Sequence, residues 1–265
     1  MSPVVLLLVL TAAGFHAGWN RLLHDVEDRV AAMAIAGFVG CLVLLPAIVT
    51  SAPVGVPLLI ALSAIAETAY VLCLTAAYRH AALSLAYPIA RGTAPLLVTF
   101  GGWFVLGQGA KPMAFAGAAA LGLGLTLVAT GGRHPERKSA VGYALLTGCC
   151  IAAYSLVDAR AVRHVSAAGY LGVVLGLQGL LLTAAVRGEW SRLRRAWRPG
   201  VLIGIGTIGA YLLILLAFQR ASAGPVATVR EVSVLVALVI ARDRPGPMTW
   251  IGALLVVTGA ILAVL

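Results

Sequence analysis

A carboxylic acid in the middle of a long apolar run is the first group in this sequence that could do chemistry. Glu67 lies about ten residues, or roughly 15 Å of helix, from either end of the run 56–77. An ionisable group at that depth costs about 2.5–3.5 kcal/mol on insertion scales and usually faces a cavity or a partner. An unpaired carboxyl there suits carrying a proton or meeting a cationic group; a paired one is satisfied by an arginine or by backbone donors. Arg91 and Arg230 lie comparably deep in the runs 82–106 and 223–241. Guanidinium groups stay charged when buried and hold carboxylate or phosphate in bidentate fashion, so this pair suits an anionic substrate group. The structural alternative pairs Arg230 with its neighbour Glu231 and Arg91 with Glu67, and a substrate competes for one of them.

Weaker candidates surround these. His16, Trp19 and Asn20 share one face of the first run, and Tyr154 and Asp158 share a face of the sixth, at helical spacing. Tyr70 lies one turn from Glu67, Tyr211 lies in the eighth run, and Tyr87 stands just before Pro88 in the fourth. Asp158, close to the end of its run, reads as an interfacial anchor, and Gln178 as an amide joining helices. In the fourth run Pro88 and Pro95 cannot donate to the carbonyls of Ser84 and Arg91. A bend with free backbone acceptors is therefore expected beside the arginine, at a depth where only protein or a watery cavity tolerates it.

No zinc-protease, P-loop or nucleophile-elbow motif occurs, so catalysis and direct nucleotide use lack a sequence basis. Cys41, Cys73, Cys149 and Cys150 fall inside apolar runs without metal-ligand spacing, and no cofactor or metal is expected.

The elements that must position these groups follow from composition. The chain has 265 residues, 61% hydrophobic and only 11% charged, with a mean hydropathy of +1.01, whereas an ordinary globular domain is roughly 25% charged. A soluble fold is excluded, and the lipid bilayer is the expected partner. Runs about twice the length of a barrel strand, without alternation, point to helices. Ten spans are expected, at 3–23, 30–50, 56–77, 82–106, 113–130, 140–161, 167–186, 200–218, 223–241 and 248–265. The connection at His80 and Ala81 is so short that the third and fourth spans should form a tight antiparallel hairpin. The net charge of +10 does not imply nucleic acid, because basic residues sit singly or in short loops. They concentrate after odd-numbered spans, which places both termini outside. The surplus of arginine over lysine and the abundance of alanine suit a multi-pass protein of a bacterial cytoplasmic membrane.

The two halves of the chain also match each other. At an offset of 135, Pro112, Met113, Phe115, Gly117 and Gly124 align with Pro247, Met248, Trp250, Gly252 and Gly259, and Trp19 aligns with Tyr154. Arg91 and Arg230 correspond with the offset grown to 139, so the ninth span is about one turn shorter than the fourth. Five crossings per unit is odd, so the units 1–131 and 139–265, joined by a linker at 132–138, should lie in opposite orientation. The fold class expected is an all-α integral membrane protein of ten transmembrane helices in two inverted five-helix repeats. In secondary transporters built this way the binding site lies between the repeats near the bilayer midplane.

The stretches His16-Ala17-Gly18-Trp19-Asn20, Tyr87-Pro88-Ile89-Ala90-Arg91-Gly92 with Pro95, and Pro225-Val226-Ala227-Thr228-Val229-Arg230-Glu231-Val232-Ser233 resemble the EamA-type drug/metabolite transporters. The resemblance implies a secondary carrier that exports or exchanges small metabolites through a central cavity, with no metal or nucleotide. Two departures stand out: Gln108 and Asp243 occupy places where members commonly carry glutamate, and the ninth span is short. The reading is a non-enzymatic carrier of a small zwitterionic or anionic, amino-acid-like metabolite, working by alternating access with proton or counter-substrate coupling. Its site is drawn from Glu67, Arg91, Arg230, Tyr87, Trp19, Asn20, His16, Tyr70, Tyr154, Tyr211 and Glu231. The alternative is a non-transporting membrane scaffold or accessory subunit on the same fold.

Overall fold

The computed structural model describes residues 1–80, 83–109, 111–130, 138–235 and 247–265, with side chains over the same ranges except 80, 83–88, 129, 130, 138–140 and 249. Among the described residues the chain is helical throughout, without strands. In chain order the helices are α1 (Pro3–Asp25), α2 (Arg29–Val43), α3 (Leu45–Thr50), α4 (Pro57–His80), α5 (Leu83–Phe104), α6 (Pro112–Thr130), α7 (Lys138–Ala161), α8 (Ala167–Ala185), α9 (Trp190–Phe218), α10 (Ala223–Arg230) and α11 (Pro247–Val264). Five of them, α1, α4, α7, α8 and α9, are long and apolar enough within the described residues to cross a membrane. The chain is a multi-pass membrane protein.

Local chemistry sets the helix starts. Ser2, Asp28 and Ser166 each accept a backbone N–H of the first turn, from Val5, Ala31 and Gly169 respectively, and Pro3 stands at the start of α1, where its missing N–H costs nothing.

Four expectations are corrected. The second span is not one helix: it divides at Leu44 into α2 and α3, because Pro46 has no N–H to offer the carbonyl of Leu42. The eighth starts ten residues earlier than its apolar run, and α9 carries Pro199 inside it. Its first turns hold exposed Trp190 and Trp197 with the basic residues, a composition at home in a headgroup layer. The fourth span, with its two prolines, is a continuous helix. Interruption occurs instead in the ninth, where α10 ends at Arg230 and a turn follows, with Glu231 N donating to Thr228 O (3.2 Å) and Val232 N to Val229 O (3.1 Å). Residues 236–246, which hold the rest of the expected ninth span and Asp243, lie outside the described residues, as does most of the linker.

The tight hairpin is the fourth correction. Despite their short connection, α4 and α5 scarcely touch; α7 packs against both, and α5 continues onto α6 and α10. A two-residue link fixes only the helix ends, and the helix from the second half wedges the rest apart. The remaining contacts also join the halves: α2 lies on α8 and α9, α1 on α9 and α10, and α6 on α11. The α6–α11 crossing is glycine against glycine. A Cβ on Gly117 would come within 2.6 Å of Gly259 O, and one on Gly124 within 2.6 Å of Gly252 O. Such close backbone approach replaces the hydrophobic drive that lipid cannot supply between helices.

Candidate functional site

Between the halves the helices enclose a small cavity. From the first half α1 contributes His16 and Trp19, α2 Met33, and α4 Glu67 and Tyr70; from the second, α7 contributes Tyr154, α8 Leu175 and Gln178, and α9 Thr207, Ala210 and Tyr211. Its free volume is about 40 Å³, enough for water and too small for a metabolite. Three tyrosines from different helices line one side edge to face, with ring centroids 5.8 Å apart for Tyr70 and Tyr154 and 5.6 Å for Tyr154 and Tyr211. Opposite them His16 meets the edge of Trp19 at 4.7 Å.

Asn20 Nδ2 donates to His16 Nε2 (2.7 Å) and to the carbonyl of His16 (3.2 Å). Since Nε2 accepts, it carries no proton, and His16 is neutral in this arrangement. The indole Nε1 of Trp19 and the hydroxyl of Thr207 are buried without a partner, and an occupant of the cavity could satisfy both. Glu67 is 6% exposed and makes no ion pair among the described residues.

Arg91, on α5, and Arg230, at the end of α10, come together behind this cavity. Both are at most 3% exposed and they share one carboxylate: Arg91 Nη1 donates to Glu231 Oε1 at 3.0 Å and Arg230 Nε donates to the same oxygen at 3.3 Å. The pairing of Arg230 with Glu231 was expected. That of Arg91 was not: its counter-ion is Glu231 from the second half and not Glu67, because α7 separates α4 from α5. Arg230 Nη2 and Glu231 Oε2 remain buried without partners. The cluster reaches the cavity electrostatically through His16 and Tyr154, each of which lies within the field of both guanidiniums.

Two charged features lie nearby. On one side Asp158, fully buried, accepts the hydroxyls of Tyr170 (2.7 Å) and Tyr211. On the other, Arg192 at the start of α9 donates to Asp28 through Nε (2.7 Å) and Nη2 (3.2 Å), and this bidentate contact holds the Asp28 carboxyl below the usual carboxylate range. Beside that bridge opens a vestibule of about 830 Å³. Val30, Thr75 and Pro199 on its wall lie on the same helices as Met33, Tyr70 and Thr207 of the cavity, and Thr75 is about 7.5 Å of helix from Tyr70.

Residues 138–265 match the model of the EamA-like transporter family. This half of the chain is EamA-like. Curated proteins give no sequence match. A solved structure titled only "Crystal structure of protein" superimposes with a TM-score of 0.74 at 20% identity, over 99% of this chain and 97% of that one. At that identity it establishes a shared fold over nearly the whole length and nothing about activity.

Nearly all the polar candidates converge on one place. His16, Trp19, Glu67, Tyr70, Tyr154 and Tyr211 line the cavity, Asn20 orients His16, and Arg91, Arg230 and Glu231 stand behind it. The side chain of Tyr87 lies outside the described residues. Asp158 is corrected from interfacial anchor to fully buried hydrogen-bond acceptor, and Gln178 from helix glue to cavity wall. The available signal for Asp158 was its position one turn after Tyr154. Its nearness to the helix end hid the fact that tyrosines of α8 and α9 cover it. Gln108, one of the two departures from the family pattern, accepts the N–H of Ala223 at 2.9 Å. Its amide oxygen thus caps α10, an acceptor role open to glutamate as well.

Proposed function

We propose that the protein is a secondary transporter that moves a small zwitterionic or anionic, amino-acid-like metabolite across the bacterial cytoplasmic membrane by alternating access. The observation that carries this reading is the cavity itself. It lies where the two halves meet, has on one wall an acid without an ion pair among the described residues, and is backed by two guanidiniums that share a single carboxylate. A cationic group would meet Glu67 and an anionic group would compete for Arg230, whose Nη2 has no partner. Tyr87, Trp19, Asn20, His16, Tyr70, Tyr154 and Tyr211 would shape the space between. A proton or a counter-substrate would drive the cycle.

Two inverted repeats, at 1–131 and 139–265, are the moving parts. Support comes from the packing: when α1, α2, α4, α5 and α6 are exchanged for α7, α8, α9, α10 and α11, the main helix contacts map onto one another. Gly117 meets Gly259 while Gly124 meets Gly252, so residues equivalent at the 135-residue offset swap partners, as a two-fold axis in the membrane plane requires. At about 40 Å³ the cavity is too small for cargo, so transport would require it to widen. Opening toward the vestibule would separate Asp28 from Arg192; opening the other way would separate Tyr211 from Asp158.

Purified protein in liposomes, challenged with a panel of amino acids and small carboxylates under proton and counter-substrate gradients, tests the proposal. Uptake that Arg230→Gln abolishes without loss of folded protein is expected. Well-folded protein that moves none of the panel under any gradient refutes the reading and favours a scaffold.

A further inference from the structure

The buried charges do not balance. Among the described residues three carboxyls, Glu67, Asp158 and Glu231, are almost wholly buried, against two buried guanidiniums, Arg91 and Arg230, both paired with Glu231. His16 does not correct the deficit, since its Nε2 accepts from Asn20. An unbalanced charge in a low-dielectric interior is costly, so the cluster takes up one further positive charge. Glu231 is not the place for it, because both arginines already point at one of its oxygens.

We infer that Glu67 and Asp158 together hold one exchangeable proton, so that the coupling ion of this transporter is H⁺ and Asp158 is the residue through which it opens one end of the cavity. The assignment of a coupling role rests on the transport reading above; the proton site itself does not. Tyr211 is the physical link. It lines the cavity with Glu67 while its hydroxyl donates to Asp158 on the far side, and the two carboxyls lie within each other's field. The groups facing Asp158 are Glu67 and Ser63 from α4, Tyr170 from α8, Tyr211 from α9 and Arg230 from α10. Tyr154 lies on its own helix, one turn before it, within the field of Arg91 on α5.

On loading, one proton from solution adds to a carboxylate oxygen of the pair, forming an O–H bond. On release that bond breaks and the proton returns to solution. The tyrosines keep their own protons throughout and only re-aim their hydroxyls. With Asp158 ionised, its hydrogen bonds to Tyr170 and Tyr211 are charge-assisted and tie α7 to α8 and α9; with Asp158 protonated they fall to roughly half that strength. Tyr170 has a second acceptor waiting in the carbonyl of Leu59 at 3.4 Å. The tie to Tyr211, which lines the cavity, is then the one that yields.

Infrared spectroscopy of the protein in lipid vesicles tests the site without any transported ligand. The wild type should show the carbonyl stretch of one protonated, buried carboxyl at neutral pH, and the band should disappear on alkaline titration. Glu67→Gln and Asp158→Asn should each abolish it, because removing either acid balances the cluster. If one variant fails to fold, the other still decides. A wild type without the band, or retention of the band in a folded variant of either residue, overturns the inference. Proton-dye measurements in vesicles, with a transported amino acid from the panel as probe, then test coupling. Asp158→Asn should lose proton-driven accumulation, whereas proton-driven accumulation that survives refutes the coupling role. Absence of all flux in the wild type with the band present would refute transport while leaving the proton site standing.

Discussion

Replacing Glu231 by glutamine is the sharpest test of how the cavity's rear wall is held. Two guanidiniums converge on one oxygen of this fully buried side chain, at 3.0 and 3.3 Å. At an effective dielectric near 20, a unit charge pair about 4 Å apart is worth roughly 4 kcal/mol. Glutamine keeps the shape and an acceptor but loses the charge, leaving two buried cations side by side; removing one partner of such a pair costs about 3–5 kcal/mol. Arg230→Gln differs in kind, because Arg91 and Glu231 remain a neutral pair, and a cost of about 1–2 kcal/mol is expected for the lost charged hydrogen bond. With roughly 2–4 °C of melting temperature per kcal/mol for a chain of this size, Glu231→Gln should melt about 10 °C below the wild type, and Arg230→Gln only a few degrees below. Detergent-purified proteins followed by tryptophan fluorescence or a thiol-reactive dye give the comparison directly. Equal losses for the two variants, or a Glu231→Gln protein as stable as the wild type, would falsify the shared counter-ion.

Other outcomes follow from the same structure. Glu67→Gln should melt at or slightly above the wild-type temperature, since it removes a buried acid that has no ion pair, while abolishing proton-driven flux. Gly124→Ala and Gly117→Ala should each destabilise by about 1–3 kcal/mol by forcing α6 off α11, where a Cβ would stand 2.6 Å from a facing carbonyl oxygen; a thermal melt unchanged within error would show that the crossing is looser than described. The Asp28–Arg192 bridge depresses the Asp28 carboxyl, so its contribution is present above the ordinary aspartate value, near pH 4, and is lost as pH falls through the lower value of the folded protein. Arg192→Gln should therefore cost about 1 kcal/mol at neutral pH, as suits a partly exposed pair. Melts of wild type and variant should converge in strong acid, and a gap that stays constant with pH would count against the bridge.

Much of this was legible in the sequence because apolar length and ionisable depth are local properties. A run of about twenty apolar residues has few options in lipid other than a helix, and Glu67, Arg91 and Arg230 could be placed at membrane depth by counting from its ends. The 135-residue offset matched the glycines of α6 and α11, but that these two helices pack on each other came only from the structure. Helix interruptions were less legible. Proline removes one hydrogen bond wherever it stands, yet α5, packed on α6, α7 and α10, stays helical through Pro88 and Pro95, while α10 stops at Arg230, where the sequence has no proline.

What only the tertiary structure decided is which charges meet. Sequence separation favoured Glu67 as the counter-ion of Arg91 across a two-residue connection, but α7 parts those helices and brings α5 onto α10, so the partner is Glu231 from the other half. Arg91 and Arg230 correspond when the two halves of the sequence are aligned, whereas Glu231 corresponds to Gly92, so the two arginines share one counter-ion that only the second half supplies. Asp158 changed meaning for the same reason: three residues from a helix end it is interfacial by counting, and fully buried once Tyr170 and Tyr211 close over it. Depth along one helix is set by that helix's own residues. Pairing and burial depend on which neighbour arrives, and the sum of buried charge that makes the cavity chemically active exists only when both halves are packed together.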